Sequence, residues 1–101
     1  MRESVIQRAI SDYLTSLHDC WVVKVMASSR RGTPDLLAVI SGRFVAIEVK
    51  APGGKASKLQ LAQLKRIESA GGIAILAESV EDVIDCLASA DIEIGSNLSF
   101  E

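Results

Sequence analysis

Cysteine is scarce in this sequence: only Cys20 and Cys86 occur, and neither has a second Cys or a His at metal-ligand spacing. That leaves no basis for a disulfide framework or a zinc site, and the apolar neighbours of both thiols predict that they are buried and free. Aromatic residues make up 4% of the chain. They are not interleaved with the basic residues as a stacking platform for single-stranded nucleic acid would require, so Trp21 and Tyr13 are read as core or interface residues. Long apolar runs are missing too. No stretch approaches the roughly 20 residues that cross a bilayer, and Met1 opens no leader with a basic start and an apolar middle. The expectation is a soluble, intracellular protein. There is no repeat, low-complexity tract or linker, and 101 residues, 49% of them apolar, suit one core, hence a single domain over residues 1–101.

The formal net charge is -2, which on average argues against a polyanionic partner. The distribution says otherwise. Between Val22 and Arg66 lie Lys24, Arg30, Arg31, Arg43, Lys50, Lys55, Lys58, Lys65 and Arg66, against the acids Asp35 and Glu48 alone. From Ile67 onward there is no Lys or Arg, while acids continue to Glu101. Such asymmetry suggests one surface facing an anion; an ordinary solvated surface is the bland alternative.

Apolar residues at helical spacing (Val5, Ile6, Ala9, Ile10, Tyr13, Leu14, Leu17) predict an amphipathic helix over residues 3–18. Residues 20–25 are short and β-branched, a strand, followed by a polar loop over 27–34. Residues 35–40 and 43–49 are apolar runs joined at Ser41-Gly42, a hairpin signal. Ser57 starts a helix that Gly71-Gly72 closes, 73–76 is a buried strand, and Ser79-Val80-Glu81-Asp82 resembles a capping box opening a last helix to about residue 90. The order is α-β-β-β-α-β-α. It implies a meander, then a helical crossover returning a fourth strand parallel to the third, in a mixed α/β sheet with helices on both faces.

A turn at Ser41-Gly42 sets Asp35 opposite Glu48. Opposed side chains on one face have Cβ atoms about 4.5 to 5.5 Å apart, and Lys50, two residues on, points the same way. Two carboxylates so close repel unless something positive joins them. Lys50 could serve alone, but two carboxylates with a nearby carbonyl, such as that of Val49, form a hard oxygen site suited to Mg²⁺ or Mn²⁺, the chemistry that phosphodiester hydrolysis uses. The bland reading makes Asp35 a turn residue after Pro34, and Glu48 and Lys50 an exposed strand face. Against it stand Phe44-Val45-Ala46-Ile47 before Glu48 and Val49 after, which predict burial on both faces; a buried acid needs a partner.

At these residues the chain resembles a known family. Gly32-Thr33-Pro34-Asp35, then Glu48-Val49-Lys50 after a hairpin, is similar to the PD-(D/E)xK nuclease signature in the form used by the VRR-NUC family, the virus-type replication-repair nucleases. The resemblance runs from Glu3 to about Leu87 and implies a restriction-endonuclease-like domain with a mixed four-stranded sheet. Within it Glu3 matches the acid on the family's first helix, Asp35 and Glu48 the metal-binding acids, Lys50 the catalytic lysine, and Gln60 a glutamine early in the next helix. Gly71-Gly72 falls where that helix ends. Thr33 departs from the aliphatic residue common there. The short, stand-alone phage and bacterial members are the nearest in form, which implies a homodimer that cuts branched DNA, including Holliday junctions, in the cytoplasm of a bacterial or phage-infected cell.

Some residues carry two readings. Ser57-Lys58-Leu59-Gln60 is itself a capping box, so Gln60 serves the helix as readily as the site, and Glu3 would favour the helix dipole in any case. Arg30 and Arg31, and likewise Lys55 and Lys58, are read as DNA phosphate contacts. His18 is read as a helix C-terminal cap rather than a general base. Ile92, Ile94, Leu98 and Phe100 make the tail a candidate dimer surface. The rival functions are a nickase or flap or duplex repair endonuclease, an inactive DNA-binding module, and a structural protein that binds no divalent metal.

Overall fold

The computed structural model describes residues 1–92 and 94. Helix α1 (Glu3–Thr15) buries Ile6, Ile10 and Leu14, the spacing of a helix with one face on a core. It ends short of residue 18. The hydroxyls of Thr15 and Ser16 donate to the carbonyls of Ser11 (2.8 Å) and Tyr13 (2.6 Å), and Asp19, at φ 53, reverses the chain in the left-handed region that Asp tolerates. His18 lies in that turn.

Strands β1 (Cys20–Lys24), β2 (Leu36–Ile40) and β3 (Arg43–Val49) form the antiparallel meander. Ser41 and Gly42 both take positive φ, 49 and 81, as in the type I′ turn that matches strand twist. Helix α2 (Lys58–Ser69) makes the crossover to β4 (Ile73–Ala77), which lies parallel to β3, and α3 (Val80–Ser89) closes the order α-β-β-β-α-β-α. The sheet order is β1-β2-β3-β4. Ser79 caps α3 by accepting from the Asp82 N–H at 3.1 Å. The Asp82 carboxylate reaches past the cap to the Glu78 N–H at 2.8 Å.

Leu36, Ala38 and Ile40, with Val45, Ile47 and Val49, alternate onto one face of the sheet, where they join Ile6, Ile10, Leu14, Val83 and Leu87 in one apolar cluster. Helices α1 and α3 share this face. Helix α2 packs over β3 and β4; its buried Leu64, like Ala46, lies outside that cluster, which places it on the opposite face.

Three expectations need correction. Of the two readings of Trp21, core and interface, the core one falls: the residue is 61% exposed and stands on the α2 side of the sheet in a cross-strand row with Val39 and Phe44, which α2, lying over β3 and β4, leaves open. Cys86 is exposed rather than buried, because α3 turns Val83 and Leu87 inward and Cys86 away. In the tail, Ile92 is buried in the core, which removes it from the candidate dimer surface, while Ile94 packs against the core and is partly buried; Leu98 and Phe100 lie outside the described residues.

Candidate active site

The β2–β3 ladder runs from Ile40↔Arg43 to Leu36↔Ile47, the register read from the turn. One step further sets Asp35 against Glu48. Glu48 lies inside β3, paired in parallel register with Leu76, and is 1% exposed. A carboxylate buried so deeply costs several kcal/mol unless compensated. Compensation is partial: Oε2 lies 3.3 Å from Lys50 Nζ, while Oε1 has no hydrogen-bond partner. Burial first, and then the charge of Asp35, push the Glu48 carboxyl up to about 7, with Lys50 opposing both.

Asp35 is held by backbone. Its Oδ2 accepts from the Val49 N–H at 2.8 Å, and its carbonyl accepts from the Val25 N–H at 2.8 Å. Lys50 is fixed by its own N–H, which donates to the Ala77 carbonyl at 2.9 Å and extends the β3–β4 pairing past Val49. Asp35, Glu48 and Lys50 thus meet at one end of the sheet.

The loop before Asp35 is latched by its own side chains. Thr33 Oγ1 donates to the Arg30 carbonyl at 2.8 Å, lies 2.7 Å from Ser28 Oγ, and Ser28 Oγ accepts from the Arg30 N–H at 3.1 Å. Thr33 therefore has a local role in holding the loop. Gly32 presses the loop onto α2: at φ 82, a Cβ there would sit 2.7 Å from the carbonyl carbon and oxygen of Leu59 and 2.9 Å from the Gln60 nitrogen. No other residue fits that approach.

Gln60 is brought beside this loop, and its side chain completes the capping box. Oε1 accepts from the Ser57 N–H at 2.8 Å, and the Gln60 N–H donates to Ser57 Oγ at 3.1 Å. Glu3 is exposed in the first turn of α1. Among the described residues no three acidic, His or Cys side chains are grouped to share an ion, so the geometry leaves Glu3 outside the pair. Arg30 and Arg31 are exposed on the loop before Asp35, and Lys55 and Lys58 after Lys50. The second loop is tied to the end of β4 by the Gly53 N–H donating to Glu78 Oε2 at 3.3 Å. Sequence reasoning misses Glu78 and the contact of Gly32 with α2; a glycine immediately ahead of Thr-Pro-Asp is the available signal for the second.

The donors suit a hard divalent cation. Asp35 and Glu48 supply carboxylate oxygens side by side, and the unpartnered Glu48 Oε1 is the kind of buried atom that an ion would satisfy.

The model of the VRR-NUC domain matches residues 3–81. Among solved structures, one described as a VRR_NUC domain superposes with a TM-score of 0.71 at 26% identity, over 86% of this chain and 94% of the other. A second, described as a VRR_NUC domain protein, gives 0.69 at 19% identity over 87% and 86%; that likeness is one of fold. A comparison with curated proteins gives no match. The fold is of nuclease type. The chain belongs to the VRR-NUC family.

Proposed function

We propose that this chain is a metal-dependent DNA endonuclease that hydrolyses phosphodiester bonds in branched DNA, acting as a homodimeric Holliday-junction resolvase. Asp35, Glu48 and the Val49 carbonyl would hold Mg²⁺ or Mn²⁺. When bound, such an ion lowers the pKa of a water, polarises the phosphorus centre and offsets charge in the transition state. Lys50, held by Glu48, orients the attacking water or stabilises the pentavalent phosphate. Arg30 and Arg31 on the loop before Asp35, with Lys55 on the loop after Lys50 and Lys58 at the start of α2, flank the site, where they can meet the DNA backbone on either side. Gln60 supports the site by fixing the start of α2 against Gly32. The observation that carries this reading is Glu48: almost wholly buried, one oxygen on Lys50, the other unpartnered, beside a second carboxylate.

Paired cuts across a junction need two sites related by a twofold axis, which a single-site chain obtains by pairing with a copy of itself. The test is cleavage of a labelled four-way junction beside flap, nicked and linear duplexes, in Mg²⁺, Mn²⁺ or EDTA, by wild type and Asp35→Ala. Metal-dependent, junction-selective cutting that the mutant loses is the expected result. Preference for a flap or plain duplex would keep the nuclease and change its substrate. A folded wild type that binds DNA and cuts none would leave an inactive binding module. Light scattering that shows a monomer still making paired cuts would sink the dimer.

A further inference from the structure

Behind the carboxylate pair, α1 and the end of β1 enclose a cleft of about 270 Å³. Its wall carries Arg8 from α1 and Lys24 from β1, with the hydrogen-bonding side chains of Ser4, Gln7 and Ser11 and one acid, Asp12. The helical residues fall at the spacing that puts them on one side of α1, next to its core stripe of Ile6, Ile10 and Leu14. Neither cation is committed to a protein partner. Among the described residues, Arg8 and Lys24 make no ion pair or side-chain hydrogen bond, although Asp12 stands four residues from Arg8, a spacing at which helical pairs form. Two cations against one carboxylate give the cleft a net positive lining, with three neutral polar groups beside them.

Its position names the anion. Leu36, which pairs with Lys24, also lines the cleft and follows Asp35 directly in sequence, with Cα atoms about 3.8 Å apart. The next residue of β1's path, Val25, bonds the Asp35 carbonyl. The cleft and the carboxylate pair therefore lie at the same end of the sheet but on its two faces, since Leu36 shares the α1 face with Ile47 and Val49 and Glu48 alternates with them. We propose that the Arg8–Lys24 cleft is a second phosphate site, which receives a backbone phosphodiester of the bound DNA near the scissile one; this rests on the nuclease reading above. Arg8 supplies the planar fork that pairs two phosphate oxygens, and Lys24 a point charge beside it. Such a contact sets the register of the strand on the enzyme and reads no base.

The experiment is fluorescence anisotropy of a labelled four-way junction and a labelled linear duplex with full-length protein, in Ca²⁺ to hold off cleavage, across a range of salt. Variants are Arg8→Gln, Lys24→Gln and Asp12→Asn, all at exposed positions, with Arg43→Gln as a charge control at the opposite end of the sheet. Each of the first two is expected to weaken binding on the order of ten-fold and to lower the slope of log K against log salt by about one, equally for both DNAs. Asp12→Asn is expected to tighten binding roughly two- to five-fold, which a merely structural role would not do. Arg43→Gln should leave the slope alone. Unchanged binding and slope in Arg8→Gln and Lys24→Gln, from a wild type that binds and cuts, would overturn the cleft and spare the nuclease. Weaker binding by Asp12→Asn, or an equal loss in Arg43→Gln, would also overturn it. A wild type that neither binds nor cuts DNA removes both.

Discussion

Replacing Glu48 by Gln is expected to stabilise the metal-free protein relative to wild type as pH rises. The Glu48 carboxyl moves from 4.5 to about 7 on folding, chiefly because it is buried and then because Asp35 is near. The folded chain therefore holds this proton more tightly than the unfolded chain does. The favourable contribution is complete below about pH 4.5, declines as pH rises through about 7, and is gone above it. Every tenfold difference in proton affinity between the two states is worth about 1.4 kcal/mol, so the loss is on the order of 3 kcal/mol, with the attraction of Lys50 already included. Gln cannot ionise, and the other titrating groups are common to both chains. The gap between the two unfolding free energies should thus open by about 3 kcal/mol in favour of Glu48→Gln between pH 4 and pH 8. Urea unfolding in EDTA across that range measures it. Parallel curves, or a wild type that gains on the variant as pH rises, would refute the burial of an uncompensated carboxylate. Addition of Mn²⁺ at pH 8 should reverse the order, since an ion that binds only the folded state stabilises it and the variant lacks one of its ligands.

Gly32→Ala is expected to cost about 2 to 4 kcal/mol, adding strain at positive φ to a backbone clash with α2. Gly42→Ala, at nearly the same φ but with nothing within 4 Å, should cost only about 1 kcal/mol, and chemical denaturation of the two separates contact from conformation. Lys50→Met should keep Mn²⁺ binding and lose cleavage by on the order of 100-fold, measured by single-turnover assays; lost metal binding would contradict the division of roles between Lys50 and the carboxylates.

The order of elements is legible in the chain because each rests on a local pattern: the Ile6, Ile10, Leu14 stripe, the turn at Ser41-Gly42, the Ser57 cap. From that turn the register follows by counting, and the apolar run around Glu48 announces its burial. What local pattern does not contain is which face a neighbouring element covers. Trp21, being aromatic, reads as core or interface, and which of the two depends on α2, which crosses over β3 and β4 and leaves it out of the core; Cys86 reads as buried from its apolar neighbours, yet the helical period turns it outward. The hold of Gly32 on α2 joins loop and helix across the fold, so its clash partners cannot be named from residues near it in the chain. Gln60 illustrates a different difficulty: one side chain satisfies two readings, and the structure displays the cap.

The central claim, that Asp35 and Glu48 form a divalent-metal site, is tested most directly by calorimetric titration of Mn²⁺ into the wild type, Asp35→Ala and Glu48→Gln. The expected result is saturable binding to the wild type that strengthens from pH 6 to pH 8 with proton release, as the Glu48 carboxyl gives up its proton, and loss of that binding in both variants. Equal heats from all three proteins, or binding indifferent to pH, would contradict it.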